Sequence, residues 1–210
     1  MVGSKDGDVS DATAPDDREL VARCVAGDQA AFESLVRRRQ GKVQRLVTRY
    51  LGRDDAAVDD MTQEVFVKAY YSLGDFHGQS SFRSWLYRIT VNQCLDEQKR
   101  RRRQEMNLFE RLKDAIHPQP TSPLGMPGAD ASERETGSEK TQAVQQAIHE
   151  LPIHQRDVII LKELEQLSYQ EVAGVLQTSV GTVKSRLARA RAELRRKLAP
   201  VLSAREGQRR

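Results

Sequence analysis

Cysteine, tryptophan and aromatic residues as a class are scarce in this chain. Of 210 residues, two are cysteine and one is tryptophan, and Phe, Trp and Tyr together make up 5%. Cys24 and Cys94 lie far apart with no CxxC neighbour. That argues against a cysteine-based metal ribbon or a redox pair and leaves two buried structural thiols as the expectation. His77, His117, His149 and His154 show no ligand spacing, so neither a metal nor another cofactor is expected. No apolar run approaches the roughly eighteen residues of a membrane span, which excludes membrane insertion. The N-terminus is acidic and has no apolar stretch of the kind a secretion signal needs, so the expected location is cytoplasmic. Paired carboxylates, a nucleophile beside a base and a phosphate-binding loop are all missing at useful spacing, which argues against an enzyme. Few aromatics with 30% charged residues suit small helical modules better than a thick sheet core.

What the chain does have is charge, unevenly placed. The formal net charge is +4, yet the first seventeen residues carry five Asp against one Lys, and the last thirty are strongly basic. That asymmetry points to a polyanionic partner near the C-terminus.

The most informative stretch is Ser168 to Lys197. Ser168 with Glu171 three residues on predicts a capping box, and Val172, Val175 and Leu176 give the helix behind it an apolar face. Gln177-Thr178-Ser179 reads as a tight turn, with Ser179 capping a second helix. Val180, Val183, Leu187, Leu194 and Leu198 share one side of that helix. Thr182, Ser185, Arg186 and Arg189 fall within an arc of roughly 100° on the far side. A solvated face needs charge of no particular sign, but Lys184 to Lys197 holds seven cations and one acid. Two short helices, a three-residue turn and a basic outer face are the parts of a helix-turn-helix, whose second helix enters a major groove.

The rest of the chain reads as further helices. Residues 1–17 form an acidic tail expected to be disordered. Arg18 to Val25 is a short helix ended by Gly27, and Asp28 caps a longer one closed by Gly52. The next helix, from about Asp55 to Leu73, buries Val58, Met61, Val65 and Ala69. It presents Asp60, Gln63, Glu64 and Val67 on the other side, a stripe suited either to docking on a basic or mixed protein helix or to plain solvation. A loop carrying Phe76 follows; of the local aromatics, Phe76 is the one a core explains least. Phe82 to Lys99 is apolar on two sides, with a polar seam of Arg88, Asn92 and Lys99 beside Trp85. That helix is expected to end in the basic run Lys99 to Arg103. Cations beside clustered aromatics suit single-stranded nucleic acid, although core packing is the better account of Phe82 and Trp85. Residues 104–140, with Pro118, Pro120, Pro123 and Pro127, read as an extended linker. Beyond it, Val144, Ala147, Ile148 and Leu151 are expected inward, as are Val158, Ile159 and Leu161 to Leu164.

The blocks DDMTQEVFVKAYYSLGDFHGQSSFRSWLYRITVN and LPIHQRDVIILKELEQLSYQEVAGVLQTSVGTVKSRLARARAELR, in this order and separated by a linker, resemble the extracytoplasmic-function sigma factors of bacterial RNA polymerase. The resemblance implies an all-α chain of two small helical domains joined by a flexible linker. Residues 18–103 would bind core polymerase and melt and read the −10 element. Residues 104–140 would be the linker, 141–200 the −35 reader and 201–210 a basic tail. It assigns docking on the largest subunit's coiled coil to Asp60, Gln63 and Glu64. The flipped −10 base falls to Phe76 and Asn92, with Arg88 and Lys99 beside them on the seam. The −35 readers are Thr182, Lys184, Ser185, Arg186 and Arg189. The implied partners are core polymerase, through that coiled coil and the flap, promoter DNA both double- and single-stranded, and a possible anti-sigma factor. The alternative is a helix-turn-helix transcriptional regulator with an N-terminal partner-binding domain, which accounts for the C-terminal half only.

Overall fold

The computed structural model describes residues 16–52, 55–115 and 139–206. The described residues form helices, and the chain divides into two compact units that part after Cys94.

In the first unit, α1 (Asp17–Val25) ends at Gly27, whose φ of +96° only glycine adopts without strain. Asp28 then caps α2 (Gln29–Leu51), accepting the Ala31 N–H at 3.2 Å, while Arg23 grips the same carboxylate at 2.7 Å. These guanidinium and amide donors hold that carboxyl below its ordinary range, the Arg23 hydrogen bond foremost. Leu35, Val43, Leu46, Val47 and Tyr50 are buried along α2, spaced so as to share one face. α3 (Asp55–Tyr71) buries Val58, Met61, Val65 and Ala69. Each large apolar side chain buried in this way contributes about 1.5–3 kcal/mol of transfer free energy. After a 3₁₀ turn at Leu73–Asp75 comes α4 (Phe82–Ala115), of which the stretch up to Cys94 belongs to the first unit. Ser81 caps α4 by accepting the Ser84 N–H at 3.1 Å. Phe82, Leu86 and Ile89 on one side of α4, and Tyr87, Val91 and Cys94 on another, are all buried. Cys24 is half-buried rather than buried.

Three boundaries differ from the expectation. Asp17 belongs to α1 rather than to an acidic tail, because its carboxylate sits against Arg38 and Arg39 of α2. Helix α4 does not stop at the basic run; it continues through Gln104 to Ala115. QEMNLFERLKDA holds no Gly or Pro and is rich in good helix formers, so nothing in it ends a helix. The last helix likewise runs past residue 200 to Glu206. Residues 1–15 and 116–138, with the linker prolines, His117 and most of the acidic linker stretch, and residues 207–210 lie outside the described residues.

The second unit is built on α5 (Glu139–His149), α6 (Ile153–Ile159), α7 (Tyr169–Val175) and α8 (Val180–Glu206). Ile148, Leu151, Val158, Ile159, Ile160, Leu161, Leu167, Val172, Val175, Val183 and Leu187 form its core. Three residues expected inward are exposed, Val144 and Leu164 at 39% each and Glu163, and Lys162 is half-buried. For Leu164 the cause is a π-helical turn, Ile160–Leu164, in which Glu165 N–H reaches Ile160 C=O at 2.9 Å. The extra residue per turn rotates everything after Leu161 out of the α-helical register. Val144 lies a turn before Ala147 and Ile148, the buried residues of α5.

Candidate nucleic-acid and protein interfaces

The helix-turn-helix forms as the sequence predicts. Ser168 and Glu171 make the reciprocal capping box, with Ser168 N–H on the Glu171 carboxylate at 2.8 Å and Glu171 N–H on Ser168 Oγ at 3.2 Å. The turn passes through Gln177, at φ +48°, to Ser179. Ser179 Oγ accepts the Thr182 N–H at 3.1 Å and lies 2.9 Å from Thr182 Oγ1. The hydroxyl of Thr182 is therefore engaged with the cap, and the residue is half-buried. Val183, Leu187 and Ala190 seat α8 on the core, which turns Ser185 and Arg189 to solvent and leaves Arg186 half-buried beside them.

The cations of α8 separate into two groups. Arg191 chelates Glu163 of the π turn at 3.1 and 2.5 Å, Lys197 holds Glu150, and Arg196 folds back on Glu193 at 2.5 Å. The first two tie the helix to the rest of the unit, and the third is a pair within α8. Among the described residues Arg186, Arg189 and Arg195 have no acid partner. Lys184 stands apart from the other predicted readers, roughly 200° round the helix from Thr182. Its Nζ lies 5.7 Å from the Tyr169 ring, which Lys162 covers at 4.9 Å. Lys184 is exposed, but it flanks the arc of Thr182, Ser185, Arg186 and Arg189 instead of belonging to it. Helical spacing alone carries that signal.

In the first unit Phe76 is not an unsupported loop aromatic. Its ring is half-buried, 6.0 Å from that of Phe82 and 5.4 Å from that of Trp85, which are themselves 5.6 Å apart. Trp85 is only 5% exposed, so the aromatic cluster is a wall with Phe76 at its outer edge. From Trp85 the seam climbs α4 through half-buried Arg88 to exposed Asn92, about 10 Å along the helix axis. Further along α4, beyond Cys94, Lys99 is held by Asp96 at 3.1 Å. Of the basic run, Arg100 and Arg101 both bind Glu97, at 2.6 and 2.7 Å, and pull its carboxyl below the usual range, Arg100 most strongly. The run is thus partly neutralised from one turn upstream. On α3, Asp60, Gln63 and Glu64 are exposed and Val67 is 52% exposed beside them. The stripe extends further than expected: Tyr71, eleven residues after Asp60 and on the same line, is 82% exposed.

Comparison with known proteins resolves what these surfaces belong to. The family model for Sigma-70 region 2 matches residues 35–104, and that for Sigma-70, region 4 matches residues 141–194. The chain is 42% identical over 190 residues to the ECF RNA polymerase sigma-E factor of Haemophilus influenzae, covering 89% of this chain and 97% of that protein. It is 37% identical over 191 residues to the RNA polymerase sigma-H factor of Pseudomonas aeruginosa, covering 90% and 97%.

The chain belongs to the extracytoplasmic-function sigma factors. As a sigma factor it directs transcription initiation, which sets aside the regulator alternative. Its fold agrees with that of CnrH, solved in complex with the cytosolic domain of CnrY, at a TM-score of 0.60 and 30% identity over 90% of this chain and 97% of that one. The sigma factor RpoE of Bartonella quintana, solved with the anti-sigma factor NepR, shares the fold at a TM-score of 0.60 with 23% identity, covering 80% and 96%. Among the described residues of this sigma factor no helix is long and apolar enough to cross a membrane.

Proposed function

We propose that this sigma factor opens promoters by trapping an unstacked −10 base between the aromatic wall and the amide of Asn92, and finds them by reading the −35 duplex with α8. Residues 18–103 act as the −10 and core-binding module and 141–200 as the −35 module. Ser185, Arg186 and Arg189 face the major groove; Thr182 supports the start of the helix, and Lys184 reaches the backbone from the flank. Arg88 and Lys99 accompany the single strand. Asp60, Gln63 and Glu64, continued by Val67 and Tyr71, dock on the coiled coil of the polymerase's largest subunit, and the −35 module meets the flap. The protein works in the cytoplasm beside polymerase, carries no catalytic site of its own, and is a candidate for restraint by an anti-sigma factor, as the structurally similar RpoE is found bound to one.

The observation that carries the opening role is the placement of Asn92. It is an exposed amide in the part of α4 that is apolar on two sides, on the line that starts at the Phe76–Trp85 contact. An amide offers both a donor and an acceptor to a base edge, which is reachable only once the base has left its stack. Phe76→Ala and Asn92→Ala should each lower the open-to-closed equilibrium by about 1–3 kcal/mol, roughly ten- to a hundredfold. Permanganate footprinting on a normal promoter and on one with a pre-melted −10 bubble checks this. Variants that open the normal promoter as well as the parent, or keep its full response to every −10 base change, would make both residues structural.

A further inference from the structure

Helix α2 carries six cations and a single acid, Glu33. Four of the six, Arg38, Lys42, Arg45 and Arg49, follow one another at intervals of four, three and four residues. They fall within an arc of roughly 60° and make a row about 16 Å long. The described acids nearby leave the middle of the row open. Glu33 is taken by Arg37 at 3.4 Å, Asp59 by Gln44 at 2.6 Å, and Asp17 by Arg38 and Arg39 at the row's N-terminal end. Among the described residues Lys42 and Arg45, both exposed, have no acid partner. Helix α4 adds to the charge: Arg83 joins Arg39, Arg45 and Arg49 in acting on the Tyr87 hydroxyl, although burial still pushes that hydroxyl above its ordinary range. Like charges gathered in this way repel, and a solvated helix gains nothing from the arrangement. A polyanion would relieve it.

We infer that the basic row of α2, Arg38, Lys42, Arg45 and Arg49, with Arg83 of α4, is a separate, sequence-independent contact for the phosphate backbone of duplex promoter DNA. It is distinct from the −10 seam, because Arg83 and Asn92 are nine residues apart on α4 and so point roughly 180° from each other. The row consists of cations alone, with no amide or hydroxyl in line to read a base, so it positions the duplex without selecting sequence. Duplex DNA carries a charge about every 1.7 Å of its axis, so a row of this length can meet several phosphates at once. The contact adds to the two promoter contacts proposed above and depends on neither assignment.

The test uses the full chain. Lys42→Ala with Arg45→Ala is titrated against a random-sequence duplex by fluorescence anisotropy across a salt series, and against a promoter duplex in parallel. Removing one cation from a phosphate should flatten the plot of log affinity against log salt by about 0.9, so the double variant should drop the slope by about 1.8. The ratio of promoter to random-sequence affinity should not change. The charge-keeping pair Lys42→Arg with Arg45→Lys should retain the parent slope, which separates missing charge from a damaged fold. An unchanged slope in a double variant with the parent's circular dichroism and melting temperature would overturn the proposal. So would tighter DNA binding that matches the effect of removing residues 1–15, since the row would then serve the acidic N-terminal segment.

Discussion

Helices α4 and α8 carry the proposed −10 and −35 contacts, and they distribute similar stocks of arginine differently. On α4 three of the five cations that follow the seam are met by acids one turn earlier: Lys99 by Asp96, and Arg100 and Arg101 by Glu97. The part of α4 nearest the aromatic wall is left with an amide and few charges, which suits a base held by stacking and pairing. On α8 the acids reach from elsewhere in the unit and take Arg191 and Lys197, which leaves Arg186 and Arg189 without an acid partner among the described residues. The lesson is that a helix's total charge does not define its reading face. The placement of the acids does, by removing some cations from competition.

The sharpest way to break this comparison is to ask whether the two units stand independently. Leu187 is 2% exposed beneath the proposed reading face of α8. Leu187→Ala should cost the second unit about 2–5 kcal/mol, from the transfer energy forfeited and the cavity left behind. Trp85, the one tryptophan, lies in the first unit. Urea unfolding followed by Trp fluorescence should therefore be unchanged, while part of the circular dichroism transition moves to lower urea. Equal shifts by both probes would show that the two units unfold as one.

A second contrast lies between the acidic face of α3 and the basic faces elsewhere. Asp60→Arg with Gln63→Ala should weaken binding to core polymerase by about 2 kcal/mol or more, because reversing the charge adds repulsion as well as removing attraction. Both residues are exposed opposite buried Val58, Met61 and Val65, so the melting temperature should hold. Unaltered affinity in a titration with core polymerase would reduce the stripe to a solvated face.

Within α8 the comparison becomes one of neighbours. Arg189→Ala should cost about 1–3 kcal/mol of −35 discrimination, the range for a base-reading arginine. Arg195→Ala, which removes a cation that points off the arc, should stay within about 0.5 kcal/mol. A panel of −35 base substitutions separates the two, because only the Arg189 variant should lose its preference at one position. Equal losses would mean that α8 sits in the groove in another orientation.

The helices, their caps and most of the core were legible because each rests on local chemistry. Asp28, Ser168 and Ser179 cap where their side chains fall one turn before an apolar stripe, and each accepts the amide expected of it. What was not legible depended on tertiary partners or on absent stop signals. The end of α4 was misplaced because a basic run resembles a boundary, whereas a helix needs Gly, Pro or the loss of its packing partner to stop it. Leu164 was misplaced because a π turn leaves no mark in a periodic pattern. Phe76 looked unsupported because Phe82 and Trp85 approach it from the next helix, beyond the reach of any one-helix reading. Lys184 fell among the readers by resemblance alone; helical spacing already put it off their arc, and the Tyr169 ring shows where it goes.

The smallest predicted effect comes from the turns, where the units again differ. Among the described residues the first unit puts glycine at its left-handed positions, Gly27, Gly52 and Gly78, and the second uses Gln166 at φ +55° and Gln177 at +48°. A side chain in that region costs about 1–2 kcal/mol from the approach of Cβ to the following carbonyl. Glycine escapes this cost but gives back about 0.5–1 kcal/mol through its freer unfolded chain. Gln166 is exposed and follows the π turn directly, where no predicted DNA contact depends on it. Gln166→Gly should therefore stabilise the second unit by about 0.5 kcal/mol. Gln166→Ala, which keeps Cβ, should not, and Gln166→Val should destabilise, because branching at Cβ tightens the same clash. The readout is the urea midpoint by circular dichroism, with Trp85 fluorescence unmoved as the internal control. A gain for alanine equal to that for glycine would place the cost in the glutamine side chain rather than in the backbone, and the two units would then not differ in how they make their turns.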